Sequence, residues 1–322
     1  MKTTTKKVLS LLLAAATIVA CTLSLSSCGK KKGYTVGICQ LVRHEALDAA
    51  TQGFKDALTE ALGAENVTFI EQNAQNDTIA CSTIVTDFVS KKVDLILANA
   101  TPALQAAFNA TTTIPVLGTS ITEYGVALDI QDFNGTVGGN VSGTSDLAPL
   151  TEQADMIPEL FPDAKNVGLI YCSAEPNSEY QVKVIEEYLT DKGLTCTRFS
   201  FSDSNDISAV TTAAAAQSDV IYIPTDNTAA SCSETIGNIV REKKVPVVAG
   251  EQGICAGCGV ATLSISYYDL GVKTGEMAAK ILKGEEKISE MPIEYATATK
   301  MYNPAICEEL GITVPEGYTA IE

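Results

Sequence analysis

Val36-Gly37-Ile38-Cys39 is answered 131 residues later by Val167-Gly168-Leu169-Ile170. Asp94-Leu95-Ile96-Leu97 is answered by Asp219-Val220-Ile221-Tyr222, and Ile114-Pro115-Val116-Leu117 by Val245-Pro246-Val247-Val248. Three apolar, strand-like runs thus recur in one order in two halves of the chain. Continuous apolar runs are what strands covered on both faces require. Strands that alternate with helical segments build parallel βαβ units. The fold class that follows is α/β: two similar doubly wound parallel-sheet lobes joined by a hinge. A cleft between two such lobes is where a small ligand sits.

The segments between the strands read as helices. Leu47, Ala50, Phe54, Leu58 and Ala61 recur at three- and four-residue steps. Asp77 stands as a cap before Ile79, Ile84, Val85 and Phe88, and Pro102 sits where the first turn of a helix tolerates it. In the second half helices are expected over 150–160, 177–192, 207–216 and 228–243, and the run ending at Ala249 reads as the last strong strand. Residues 268–284 form an amphipathic helix that crosses back to the first lobe. The glycine- and asparagine-rich stretch 132–143 reads as the first hinge, with a plain surface loop as the alternative. The N-terminal lobe is expected over 34–145, completed by about 270–290. The C-terminal lobe is expected over 146–269, completed by about 291–322.

The start of the chain reads as an export signal. Lys2, Lys6 and Lys7 precede an apolar run over residues 8–25. Leu25-Ser26-Ser27-Cys28 then has the form of a lipoprotein cleavage box, an apolar residue and two small ones before a cysteine. Ile18-Val19-Ala20-Cys21 has the same form, but cleavage there would leave an apolar stretch exposed. The reading is a signal peptide over 1–27, lipidation at Cys28 and a tether over 28–33. Two acyl chains on one cysteine give lasting membrane attachment. The mature protein is then extracytoplasmic and held at the cell membrane.

Composition narrows the partners. The formal net charge is −17, and removing residues 1–27 with their three lysines takes it to about −20. Such an acidic surface disfavours nucleic acid, whose phosphates need lysine and arginine. The ten cysteines show no dense disulfide framework. Cys255-Ala256-Gly257-Cys258 is a lone C-x-x-C, read as a local disulfide or as two free thiols. A single histidine cannot build a multi-histidine metal centre. The chain has no G-x-S-x-G elbow, G-x-x-x-x-G-K loop or H-E-x-x-H. No catalytic residue, metal or cofactor is expected.

Ligands of parallel α/β lobes meet the carboxyl ends of strands, where the next helix offers free N–H groups. Thr101 and Pro102 follow the strand ending at Ala98, and Asn177 and Ser178 follow the one ending at Tyr171. Thr225, Asp226, Asn227 and Thr228 follow the matching strand of the second half. Ser120, Ser145, Asp146 and Glu251 stand at other strand ends, and His44 just beyond the first strand. Helix N-termini for a carboxylate and an aspartate for an ammonium group are what an amino acid needs. Asp226, with Asp146, is assigned the ammonium. Tyr268 and nearby apolar residues are assigned the ligand side chain. The same segments also suit ordinary helix caps.

Val42-Arg43-His44-Glu45-Ala46-Leu47-Asp48, Gln72-Asn73-Ala74-Gln75, Ala100-Thr101-Pro102-Ala103 and Gly143-Thr144-Ser145-Asp146 together resemble the ABC-transporter substrate-binding lipoproteins linked to tryptophan and tyrosine uptake. So do Glu175-Pro176-Asn177-Ser178, Pro224-Thr225-Asp226-Asn227-Thr228 and Tyr267-Tyr268-Asp269-Leu270-Gly271. The resemblance spans Tyr34 to Pro315, with departures at Arg43, Glu45 and the segment from Gly253 to Gly259. It implies a type I periplasmic-binding-protein-like fold whose two lobes close about a hinge. It further implies capture of a small solute, foremost an aromatic amino acid, and delivery to an ABC permease and its ATPase. His44 is carried over as a binding residue, and the protein is expected to act as a monomer. A ligand-sensing receptor, or a binding protein for a sugar or purine, would share the same fold.

Overall fold

The computed structural model describes residues 33–321. The export segment and the lipidation site Cys28 lie outside them. No helix among the described residues is long and apolar enough to cross a membrane.

The first lobe begins with β1 (Tyr34–Gln40), α1 (Glu45–Leu62), β2 (Val67–Asn73), α2 (Thr78–Lys91) and β3 (Leu95–Asn99). It continues through α3 (Thr101–Ala110), β4 (Val116–Ile121), α4 (Tyr124–Leu128) and β5 (Val141–Ser145). The second lobe has α5 (Leu150–Leu160), β6 (Asn166–Cys172), α6 (Pro176–Asp191), β7 (Thr195–Phe201) and α7 (Ile207–Ala215). Then come β8 (Val220–Ile223), α8 (Asn227–Ser231), α9 (Ser233–Glu242), β9 (Val247–Ala249), α10 (Gln252–Cys258) and β10 (Ala261–Ser264). The chain ends with α11 (Tyr267–Lys283), β11 (Glu294–Tyr295), β12 (Thr299–Tyr302), α12 (Pro304–Leu310) and β13 (Thr319–Ala320).

The two sheets share one plan. The first runs β2-β1-β3-β4-β5-β11 and the second β7-β6-β8-β9-β10-β12-β13. Their strands pair in parallel except β12 against β10. The repeated runs fall on β1 and β6, β3 and β8, β4 and β9. Strands β3, β4, β5 and β8 to β10 are buried at every residue, as helices on both faces demand. Asp77 caps α2 by accepting from the Ile79 and Ala80 N–H groups at 2.7 and 3.2 Å.

Three expectations are corrected. The stretch 132–143 is a loop of the first lobe that leads into β5 and is not the hinge. The chain crosses at residues 146–149, again between β10 and α11, and again between β11 and β12. The helix expected over 228–243 breaks at Cys232 into α8 and α9. β9 is not the last strand of the core, because β10 follows it, fully buried.

α11 lies against α1 and completes the first lobe. Glycines make that contact possible: a Cβ on Gly271 would meet Ala50 O at 2.0 Å, and one on Gly53 would meet Tyr268 O at 2.1 Å. β11 then pairs with β5. Residues 267–295 therefore belong with the first lobe, a longer return than the expected 270–290.

Cys255 and Cys258 are buried free thiols in α10, and the other six cysteines of the described residues are free too. Their thiols donate to Gly259 O and Ile254 O. Burial pushes both well above the usual thiol range, which leaves them unreactive.

Candidate functional site

The carboxyl ends of β1, β3, β4 and β5 face those of β6, β8 and β9 across the cleft. Side chains bridge it directly. His44 Nε2 lies 3.3 Å from Asn227 Oδ1, and Asn76 Nδ2 donates to Thr228 Oγ1 at 2.9 Å. A cavity of about 280 Å3 opens beside this contact, lined by Arg43, His44, Glu45 and residues 230–235.

The first lobe supplies strained and uncapped backbone. Ala100 (φ +86°) and Ser120 (φ +56°) both hold left-handed conformations at strand ends. Non-glycine residues hold such angles only where their surroundings impose them, often at ligand sites. Ser120 sits at a register shift between β4 and β5. The N-terminus of α3 is buried at Thr101, Pro102 and Ala103, and its first residue has no side-chain cap. A buried helix start without a cap is a seat for an anion.

The second lobe is self-capped. Asp226 Oδ2 accepts from the Cys172 N–H at 2.6 Å and Oδ1 from the Ala229 N–H at 2.7 Å. Glu251 accepts from the Gly253 and Ile254 N–H groups at 2.6 and 2.5 Å. Glu175 accepts five bonds: from the Asn227 N–H at 3.0 Å, Asn227 Nδ2 at 2.7 Å, the Thr228 N–H at 2.9 Å, Thr228 Oγ1 at 2.7 Å and Asn177 Nδ2 at 3.3 Å. Asn177 Nδ2 donates to Thr225 O at 3.1 Å, and Ser178 is fully buried beside it.

Two role assignments change. Asp226 was expected to hold a ligand ammonium, but both its oxygens are taken by its own lobe because it is the N-cap of α8. Tyr268 was expected to face the ligand side chain, yet it is 43% exposed and its hydroxyl donates to Asp56 Oδ2 on α1 at 3.1 Å. One residue along a helix is a turn of about 100°, so Tyr267 is the one that faces inward. Its hydroxyl donates to Asp146 Oδ2 at 2.9 Å. Glu251 is a helix cap, and Ser145 Oγ donates to Thr122 O at 2.8 Å.

Six buried polar atoms at the strand ends have no partner among the described residues: His44 Nδ1, Asn73 Nδ2, Asn99 Oδ1, Ser120 Oγ, Asp146 Oδ1 and Asn177 Oδ1. Native interiors pair nearly all such atoms. Asn227 Nδ2 is held by Glu175, so its Oδ1 must accept and His44 Nε2 must donate. His44 Nδ1 is then an acceptor, and four of the six orphans accept, Asn73 Nδ2 being a donor and Ser120 Oγ able to do either. Burial lifts the Asp146 carboxyl to about 6, against the pull of Tyr267. Burial and then the Glu175 charge lift Asp226 to about 7, and burial lifts Glu251 to about 7. Burial also pulls the His44 ring below the usual histidine range.

Glu175, Tyr267 and Asn99 lie in segments that the sequence singled out but received no role there, and Asn76 was missed. Glu175 carried the one usable signal, a carboxylate directly before Pro176 at a helix start.

The family of ABC transporter substrate binding proteins matches residues 35–320. A curated relative, the tyrosine-binding protein of Clostridioides difficile strain R20291, is 35% identical over 276 residues, 84% of this chain and 79% of that protein. Among solved structures, an ABC domain from Streptococcus pneumoniae in complex with L-Trp is 32% identical. It covers 90% of this chain and 100% of its own, with TM-score 0.85. The ligand-free, open structure of a substrate binding protein with adhesive properties from Clostridium difficile is 38% identical. It covers 90% of this chain and 99% of its own, with TM-score 0.68. The higher identity goes with the poorer superposition, so the lobes here do not stand in that open arrangement. The two side-chain bonds across the cleft agree.

Proposed function

Because the chain belongs to the ABC transporter substrate binding protein family, we propose that its ligand is an aromatic amino acid, held between the lobes for delivery to a permease and its ATPase. The observation that carries this is the surplus of buried acceptors. An ammonium group brings three donors and a positive charge into a place rich in lone pairs. Asp146 Oδ1 takes the charge, with Asn99, Asn177 and His44 as further acceptors. The ligand carboxylate meets the buried start of α3 at Thr101 and Ala103. The aromatic side chain is argued from the relatives, which bind tyrosine and L-Trp.

Binding closes the lobes, and closure is the signal for the permease. The protein acts as a monomer and is anchored through Cys28. In a producing cell, Cys28→Ser would move it from the membrane fraction to the medium, whereas Cys21→Ser would leave it anchored.

The chain contains no tryptophan, so the indole of added L-tryptophan can be excited without protein background. Saturable, blue-shifted emission marks its entry into an apolar cleft. No shift, together with no thermal stabilisation by tyrosine or phenylalanine, would remove the aromatic ligand and leave the family and fold standing.

A further inference from the structure

Each side-chain bond across the cleft ends on a second-lobe residue whose orientation is fixed from behind by one carboxylate. Asn227 gives its amide N–H to Glu175 Oε2 at 2.7 Å, which turns Oδ1 toward His44. Thr228 gives its hydroxyl proton to Glu175 Oε1 at 2.7 Å, which leaves its oxygen to accept from Asn76. Without that carboxylate an amide turns over and a hydroxyl rotates at little cost, and either can present the wrong group. Glu175 is itself buried, and it comes from the loop before α6, outside the helix that it orients.

We infer that Glu175 is a positioning residue for a two-armed closing latch, in which His44–Asn227 and Asn76–Thr228 hold the lobes together once ligand is bound. This rests on the proposed reading that ligand drives closure. Both arms are made only when the lobes meet, so they act on the lifetime of the closed form. Their loss would appear in ligand dissociation and barely in association. The arms lie at the cleft edge and require nothing of the ligand side chain.

The chain has one histidine, so its ring nitrogens can be read by nitrogen–proton correlation without ambiguity. With saturating L-tryptophan the wild-type ring is expected as a single Nε2–H tautomer. In Glu175→Gln a carboxamide cannot accept on both sides. The ring is then expected to become a tautomer mixture, and L-tryptophan to leave about tenfold faster or more, the scale of losing a hydrogen bond. In a His44→Ala/Asn76→Ala background the same change should add nothing to dissociation.

A purely structural role for Glu175 would lower thermal stability in both backgrounds and leave the tautomer unchanged, which overturns the latch. So would an Nδ1–H tautomer in the liganded wild type. If Glu175→Gln does not fold, Asn227→Ala removes the His44 arm alone and must release that ring. If L-tryptophan does not bind the wild type, the aromatic reading fails instead. The ring is then read with whichever of the twenty amino acids raises the melting temperature most.

Discussion

The Tyr267 hydroxyl donates to Asp146 Oδ2 at 2.9 Å and leaves Oδ1 buried with no partner. Asp146 starts the first crossing between the lobes, and Tyr267 opens the helix that follows the second. The bond therefore ties two hinge segments together at the carboxylate proposed to receive ligand charge. An ammonium bound at Oδ1 would sit where the lobes pivot.

Asp146→Asn keeps the Tyr267 bond and removes the charge. L-tryptophan affinity is expected to fall by about 2–5 kcal/mol, the scale for losing one partner of a buried charge pair. Calorimetry checks the affinity and circular dichroism the fold. An unchanged affinity would take Asp146 out of the site.

Affinity should also depend on pH in a defined direction. Burial holds the empty-site carboxyl of Asp146 near 6. A ligand ammonium favours the ionised form, so binding lowers that value and releases a proton. Affinity then rises with pH up to about 6 and levels off above, by at most about tenfold per pH unit. Calorimetry in buffers of different ionisation enthalpy would show the released proton below pH 6. Proton uptake there would refute the assignment.

The ligand-free protein should behave in the opposite sense. Asp226 and Glu251 are raised to about 7 in the folded chain. A carboxyl raised on folding contributes stability that is complete below its unfolded value. That stability is lost as pH climbs through the folded value. Thermal stability is thus expected to decline between about pH 4 and pH 7. Asp226→Asn should flatten the decline and leave the pH dependence of ligand affinity in place. Melting curves across that range decide it.

α1 and α11 touch through backbone. Gly271→Ala would set a methyl 2.0 Å from Ala50 O, which a carbonyl in a packed helix cannot yield to. Overpacking of this kind costs about 1–3 kcal/mol. The melting temperature should drop, whereas Gly284→Ala, in open space at a helix end, should cost only the strain of its positive φ.

The duplication was legible because buried parallel strands must be apolar at consecutive positions, and β1, β3, β4 and their counterparts are. The hinge was not. Residues 132–143 have loop composition, but composition does not say whether a loop returns to its own sheet. The true crossing at 146–149 holds one aspartate and one proline among apolar residues. Asp226 and Asp146 were read alike, as partners of the ammonium, for a related reason. Both follow strands, but Asp226 stands directly before a helix and caps it, whereas three residues separate Asp146 from the next helix and it caps none. Glu175 escaped because four of its five donors come from Asn227 and Thr228 at the start of α8, some fifty residues away.

Tyr267→Phe and Tyr268→Phe make a paired test of which tyrosine serves the site. The Tyr267 hydroxyl stabilises the ionised Asp146, so its removal raises that carboxyl further. The pH at which affinity levels off should move upward, and affinity near pH 6 should fall while affinity near pH 8 changes less. Tyr268→Phe loses only a surface bond to Asp56, on the outer face of α1 and α11. Such a bond is open to water and contributes little, so both the plateau and its midpoint should stay at wild-type values. A shift in the Tyr268 variant, or none in the Tyr267 variant, would mean that the proton released on binding comes from a group other than Asp146.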